Sequence, residues 1–109
     1  MWLFTKHGFV SIVENLHNPE TLLERARVRK DLENFVETLK AIDGKDRWIA
    51  ETPAADYGYR IVAEKGVVAD AVAASTRGID YSNFKNAVHG DPSRDNAYFE
   101  VWAAMRELQ

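Results

Sequence analysis

The sequence predicts an α+β fold: an antiparallel sheet of about five strands built from hairpins, with helices packed on one face, in a single domain over residues 1–109. Three observations predict it. Short aromatic and β-branched runs, such as Trp2 to Thr5 and Phe9 to Val13, are separated by turn residues. Helical spacing follows those runs instead of alternating with single strands, so parallel βαβ winding lacks its strands. The 109 residues, 46% hydrophobic and 28% charged, hold enough apolar surface for one core and too little chain for two.

Taken in order, Lys6-His7-Gly8 supplies a three-residue loop that joins the first two strands as a hairpin. Asn18-Pro19-Glu20 has the form of a helix start, with a cap, a proline at the first position and an acid in the first turn. The next residues disagree with it. From Leu22 to Val28 they alternate, with Leu22, Glu24, Ala26 and Val28 on one side and Leu23, Arg25, Arg27 and Arg29 on the other, which predicts a strand. Leu32, Phe35, Val36 and Leu39 then share one face of a helix that has Asp31 and Glu33 near its start.

Arg47 to Thr52 and Tyr57 to Ala63 read as two strands joined through Pro53 to Asp56, with Tyr57, Tyr59 and Ile61 on one face and Arg60 and Val62 on the other. Val67, Val68, Ala71, Val72 and Ser75 fit a helix that Gly78 ends. Asp80 is the expected cap of a short helix carrying Phe84 and Val88. Asp91-Pro92 opens the last helix, whose Tyr98, Val101, Trp102, Met105 and Leu108 form a stripe expected to dock on the sheet.

The chain has 14 cations against 17 acids, a formal charge of −3, and a pI near 5.6. A surface devoted wholly to nucleic acid phosphates is thereby excluded, though a local basic patch is not. Without cysteine there is no disulfide, thiolate nucleophile or Cys-ligated zinc, and the default setting is cytoplasmic. Lys6 and His7 interrupt the apolar opening, unlike a signal peptide, and no run of about 18 apolar residues predicts a membrane span.

The MWLFTKHGF opening, RARVRKDLE, ADYGYR, IDYSNFK and the closing VWAAMRELQ together resemble a family of small uncharacterised bacterial proteins with an MW-x-FT-x-x-GF opening. The resemblance spans nearly the whole chain. It implies a small α+β domain of bacterial or phage origin in which the segment before RKDLE is a strand. It implies no catalytic residue.

No motif names a reaction. His7, His17 and His89 lack metal-ligand spacing, so no metal is expected. Ser11, His89 and Asp91 have no nucleophile-elbow frame around them, and no phosphate-binding glycine loop occurs, so no cofactor is expected. Phe9, Tyr57 and Tyr59 beside Arg60 invite a comparison with RNA-recognition sheets, but a chain ending in helices has the wrong element order, and such aromatics are more often core. Nucleic acid is thus the less favoured partner.

One charge row stands out. Arg25, Arg27, Arg29 and Lys30 place four cations in six residues. On a strand the arginines would project from one face at about 6.5–7 Å spacing, suited to an anionic ligand or an acidic protein. In a helix the row would disperse. The plainer reading is a solvated edge with Glu14, Glu24 or Glu33 as partners. The expected function is non-enzymatic binding through Arg25, Arg27, Arg29, Lys30 and Arg60. Two alternatives stand beside it: a small enzyme with a pocket between the sheet and the C-terminal helices, using Tyr57, Tyr59, Arg60, Asp80, Tyr81 or Lys85, and a self-associating module.

Overall fold

Trp2–Thr5 (β1) and Gly8–Glu14 (β2) pair as an antiparallel hairpin in the computed structural model, which describes all 109 residues. The loop is tighter than the sequence suggests. Thr5 pairs with Gly8, so only Lys6 and His7 turn the chain and the glycine belongs to the strand. Gly8 has φ +148°, and a Cβ there would lie 2.6 Å from the Asp31 Cβ. Close approach as well as a positive φ therefore requires glycine.

Asn18-Pro19-Glu20 starts no helix. The Asn18 side chain accepts the Glu20 amide at 3.0 Å and the Asn18 carbonyl accepts that of Thr21 at 3.1 Å. The capping chemistry is spent on a turn. Thr21–Ala26 (β3) then pairs antiparallel with β2, so the segment is a strand. It ends two residues sooner than its alternation implies, because Arg27 and Val28 bend into the helix Arg29–Asp43 (α1). Gly44, at φ 76°, closes α1 by donating its amide to the Lys40 carbonyl at 2.7 Å.

The remaining strands are Ala50–Glu51 (β4) and Tyr59–Glu64 (β5), followed by the helix Lys65–Arg77 (α2). Both strands are shorter than their sequence pattern. Arg47 is held by Asp43 at 2.6 Å and Glu64 at 3.0 Å instead of joining the ladder. The sheet order is β1-β2-β3-β5-β4, antiparallel throughout. This is the α+β class that the hairpins predict.

Residues paired directly across strands share a face. Val10, Ile12, Ala26, Ile61 and Ala63 meet Leu32, Phe35 and Leu39 of α1 and Val68 and Ala71 of α2 in one core. Leu32 and Leu39 are fully buried, each stabilising the fold by roughly 1.5–3 kcal/mol. Glu24 shares that face. It pairs with Ile12 and Ile61, is 0% exposed, and neither carboxyl oxygen has a hydrogen-bond partner.

These elements belong to one compact unit, Met1–Gly78, and Ile79–Gln109 form a second. The second holds the helices Phe84–Ala87 (α3) and Pro92–Ala104 (α4) and a final 3-10 turn, Met105–Leu108. Asp91 caps α4 by accepting the Arg94 amide at 3.1 Å, as the Asp-Pro start predicts. The cap of α3 is Asn83 and not Asp80, since the Asn83 side chain accepts the Lys85 amide at 3.0 Å. The stripe expected to dock is not buried as its spacing predicts. Tyr98 is buried against Phe84, but Trp102 is 50%, Met105 51% and Leu108 82% exposed. Helical spacing reports a shared side, and here that side is largely open to solvent beyond Tyr98. No helix is long and apolar enough to cross a membrane.

Candidate anion-binding face

The sheet face turned away from α1 and α2 carries the side chains that alternate with the core. Pairing aligns Trp2, Ser11, Arg25 and Arg60 in one row across β1, β2, β3 and β5. With strands about 4.8 Å apart, the Cα atoms of Trp2 and Arg60 stand roughly 15 Å apart along that row. An aliphatic row of Val13, Leu23 and Val62 runs beside it.

Tyr57 organises the cations. The bend before β5 carries it off the strand, so it does not share a face with Tyr59 and Ile61 as strict alternation predicts. Asp56 accepts the Tyr57 amide at 2.9 Å, and the Thr52 amide donates to the Gly58 carbonyl at 2.8 Å, closing the loop. The Tyr57 ring, 6% exposed, packs near Phe9 at 6.3 Å. The Arg25 guanidinium carbon lies 4.6 Å from its centroid and that of Arg27 5.1 Å, within cation–π range. Arg25 also donates to the Ser11 hydroxyl at 3.0 Å, and Arg27 to the Asp56 carbonyl at 3.2 Å. Arg60 donates to the Thr52 hydroxyl at 3.1 Å, which in turn donates to the Tyr57 carbonyl at 3.0 Å.

The predicted row is thus partly dismantled and partly rebuilt. Arg29 is the first residue of α1, lies over Tyr59 at 5.8 Å and pairs with Glu51 at 2.8 Å. Tyr59 pairs with Ala26 and so lies on the core side. Arg29 leaves the row because the strand stops at Ala26. Lys30 is an exposed residue in the first turn of α1. Arg60 takes Arg29's place, directly opposite Arg25.

Several cations of this unit are charge-paired. Arg29, Lys40, Lys45 and Arg47 each lie within 3.2 Å of a carboxylate. Arg25, Arg27 and Arg60 have no carboxylate partner, and Glu14, Glu24 and Glu33 do not supply one. Hydrogen bonding to Arg47 holds the Asp43 carboxyl below its ordinary range. Glu64 is lowered by its backbone hydrogen bond first, then by Lys45 and Arg47. Burial pushes the Glu24 carboxyl up to about 8, against a smaller pull from Arg47.

Aromatic residues flank the arginines. Phe4 and Phe9 stack at 4.6 Å with rings 10° apart, and Trp2 meets Phe9 edge-on at 6.0 Å. Trp2 is 63% exposed. Its place was readable from the hairpin, because Trp2 and Phe4 alternate out of β1 opposite Ser11 and Phe9 of β2.

The residues of the enzyme alternative are spread over both units. Tyr57, Tyr59 and Arg60 belong to the first unit and divide between the two sheet faces. Asp80, Tyr81 and Lys85 belong to the second, where Tyr81 packs on Phe84 and Lys85 lies over Trp102 at 4.5 Å. A cleft of about 400 Å³ in the second unit contains His89 and Asp95, 3.0 Å apart. The His89 side chain is 62% exposed, so water reaches this pair freely. Comparison with models of known families, with curated proteins and with solved structures found no match.

Proposed function

We propose that this chain is a small cytoplasmic binding protein that takes an anionic ligand or an acidic partner on the open sheet face, through Arg25, Arg27 and Arg60. One observation carries the reading: Arg25 and Arg27 lie against the Tyr57 ring, Arg60 stands opposite Arg25, and none of the three has a carboxylate partner, whereas Arg29 and Arg47 do. Arg25 and Arg60 are directly opposed, and like charges in that position oppose folding. Such a conflict with stability is expected where binding, and not folding, selects the residues. Arg27 spends only Nη1 and Arg60 only Nε on internal bonds, so both keep donors for phosphate or carboxylate, while Arg25, whose Nε is buried, contributes its charge and its remaining Nη donors. A positive cluster in a chain of net charge −3 steers an anion to one place.

Retention on a polyphosphate resin across a salt gradient tests this. The triple variant Arg25→Gln, Arg27→Gln, Arg60→Gln should elute at lower salt than the wild type, and Arg29→Gln, on the core side and paired, should elute with it. Co-elution of the triple variant with the wild type would refute the reading.

A further inference from the structure

We infer that the anion taken by this face is a short segment of single-stranded nucleic acid, its phosphates on Arg25, Arg27 and Arg60 and a base on Trp2; the inference rests on the anion-binding reading above. A ligand offering only charge would use the arginines and leave the largest exposed ring of the face in water. Trp2 is 63% exposed and lies in the same cross-strand row as Arg25 and Arg60. Every base has a π-face, and single-strand binders combine a cationic track with rings on which bases stack. The Arg25 and Arg27 guanidiniums lie 4.6 and 5.1 Å from the Tyr57 ring centroid, and a guanidinium plane can itself stack on a base.

A duplex is the poorer fit. Its bases are read by a helix or a two-stranded ribbon entering a groove, whereas here the cations lie on the face of a five-stranded sheet. The acidic total charge also disfavours wrapping a densely charged duplex. Element order, which argued against an RNA-recognition fold, does not bear on the face itself. Stacking requires an exposed ring beside cations, and the hairpin register provides one in Trp2.

Fluorescence anisotropy with a labelled, mixed-sequence single-stranded oligonucleotide tests the inference, with competition by polyphosphate of equal charge, the matching duplex and polyglutamate. The single strand should bind about tenfold more tightly than polyphosphate. Trp2→Ala should remove that margin without changing polyphosphate affinity, and Trp2→Phe should retain most of it. With three phosphate contacts, log affinity should fall against log salt with a slope of about −2. Equal affinity for oligonucleotide and polyphosphate, unaffected by Trp2→Ala, would overturn the inference and leave anion binding standing. Tighter binding of the duplex, or polyglutamate competing as well as the oligonucleotide, would overturn it in favour of those partners. Unchanged binding of both probes by the triple arginine variant would overturn the inference and the anion-binding reading together.

Discussion

Arg25 and Arg60 stand directly opposite one another across β3 and β5, and neither is neutralised by a carboxylate. Cross-strand like charges destabilise a sheet by a few tenths to about 1 kcal/mol, and the Arg60 bond to Thr52 offsets part of that. Replacing Arg60 by Gln should therefore change stability by less than about 1 kcal/mol while weakening anion retention. Urea denaturation checks the first half. A loss of about 3 kcal/mol would make Arg60 a structural residue.

Glu24 should make the fold less stable as pH rises. Its folded pKa of about 8 lies above the ordinary value of 4.5, because burial disfavours the charged form. The folded protein then holds a proton that the unfolded chain releases. The stabilisation is complete below about pH 4.5, declines as pH rises, and is lost once pH passes the folded pKa near 8. The full span is on the order of 5 kcal/mol. Glu24→Gln should flatten this part of the profile in urea titrations from pH 5 to 8. A profile as steep as that of the wild type would assign the dependence to other groups.

The contact between Gly8 and Asp31 should be intolerant of change. A methyl group at Gly8 would strike Asp31, whose carboxylate accepts the Phe9 amide at 2.9 Å. Gly8→Ala should cost about 2–3 kcal/mol, through steric displacement and a strained φ. Asp31→Ala, which leaves that amide unpaired, should cost about 1–3 kcal/mol. Thermal melting of the two variants measures both losses, and an unshifted midpoint for Gly8→Ala would contradict the packing described.

Trp102→Ala should be mild. A fully buried Trp would cost about 3–5 kcal/mol, but half of this residue is exposed and its ring meets Phe99 and the cations of Lys85 and Arg106. A loss of about 1–2 kcal/mol is expected in chemical denaturation. The fully buried figure would mean that its ring is covered.

Elements set by local chemistry were legible in the sequence. The apolar spacing of Leu32, Phe35 and Leu39 marked the buried side of α1, and Asp91-Pro92 marked the start of α4. Asn18-Pro19 misled because the same capping atoms serve a helix start or a turn, and pairing with β2 decided between them. Alternation gives the side of Arg25 but not where β3 stops, so it puts Arg29, the first residue of α1, on the wrong face. Tyr57 departs from its alternation for a similar reason, since a bend before β5 cancels the period of two. Glu24 stands among Leu22 and Ala26 as an acid in an apolar row, which is the sequence signal of its burial. The missing carboxylates around Arg25, Arg27 and Arg60 had no local signal, because they depend on which distant strands become neighbours.

Amide shifts in a ¹⁵N–¹H spectrum titrated with polyphosphate test the central claim most directly, because they locate bound anion without a variant. The account predicts that the largest shifts fall on Ser11, Arg25, Arg27, Thr52, Tyr57 and Arg60, with Arg29 and Lys30 little moved. Shifts centred on Arg29 and Lys30, or spread evenly over the exposed lysines, would contradict it.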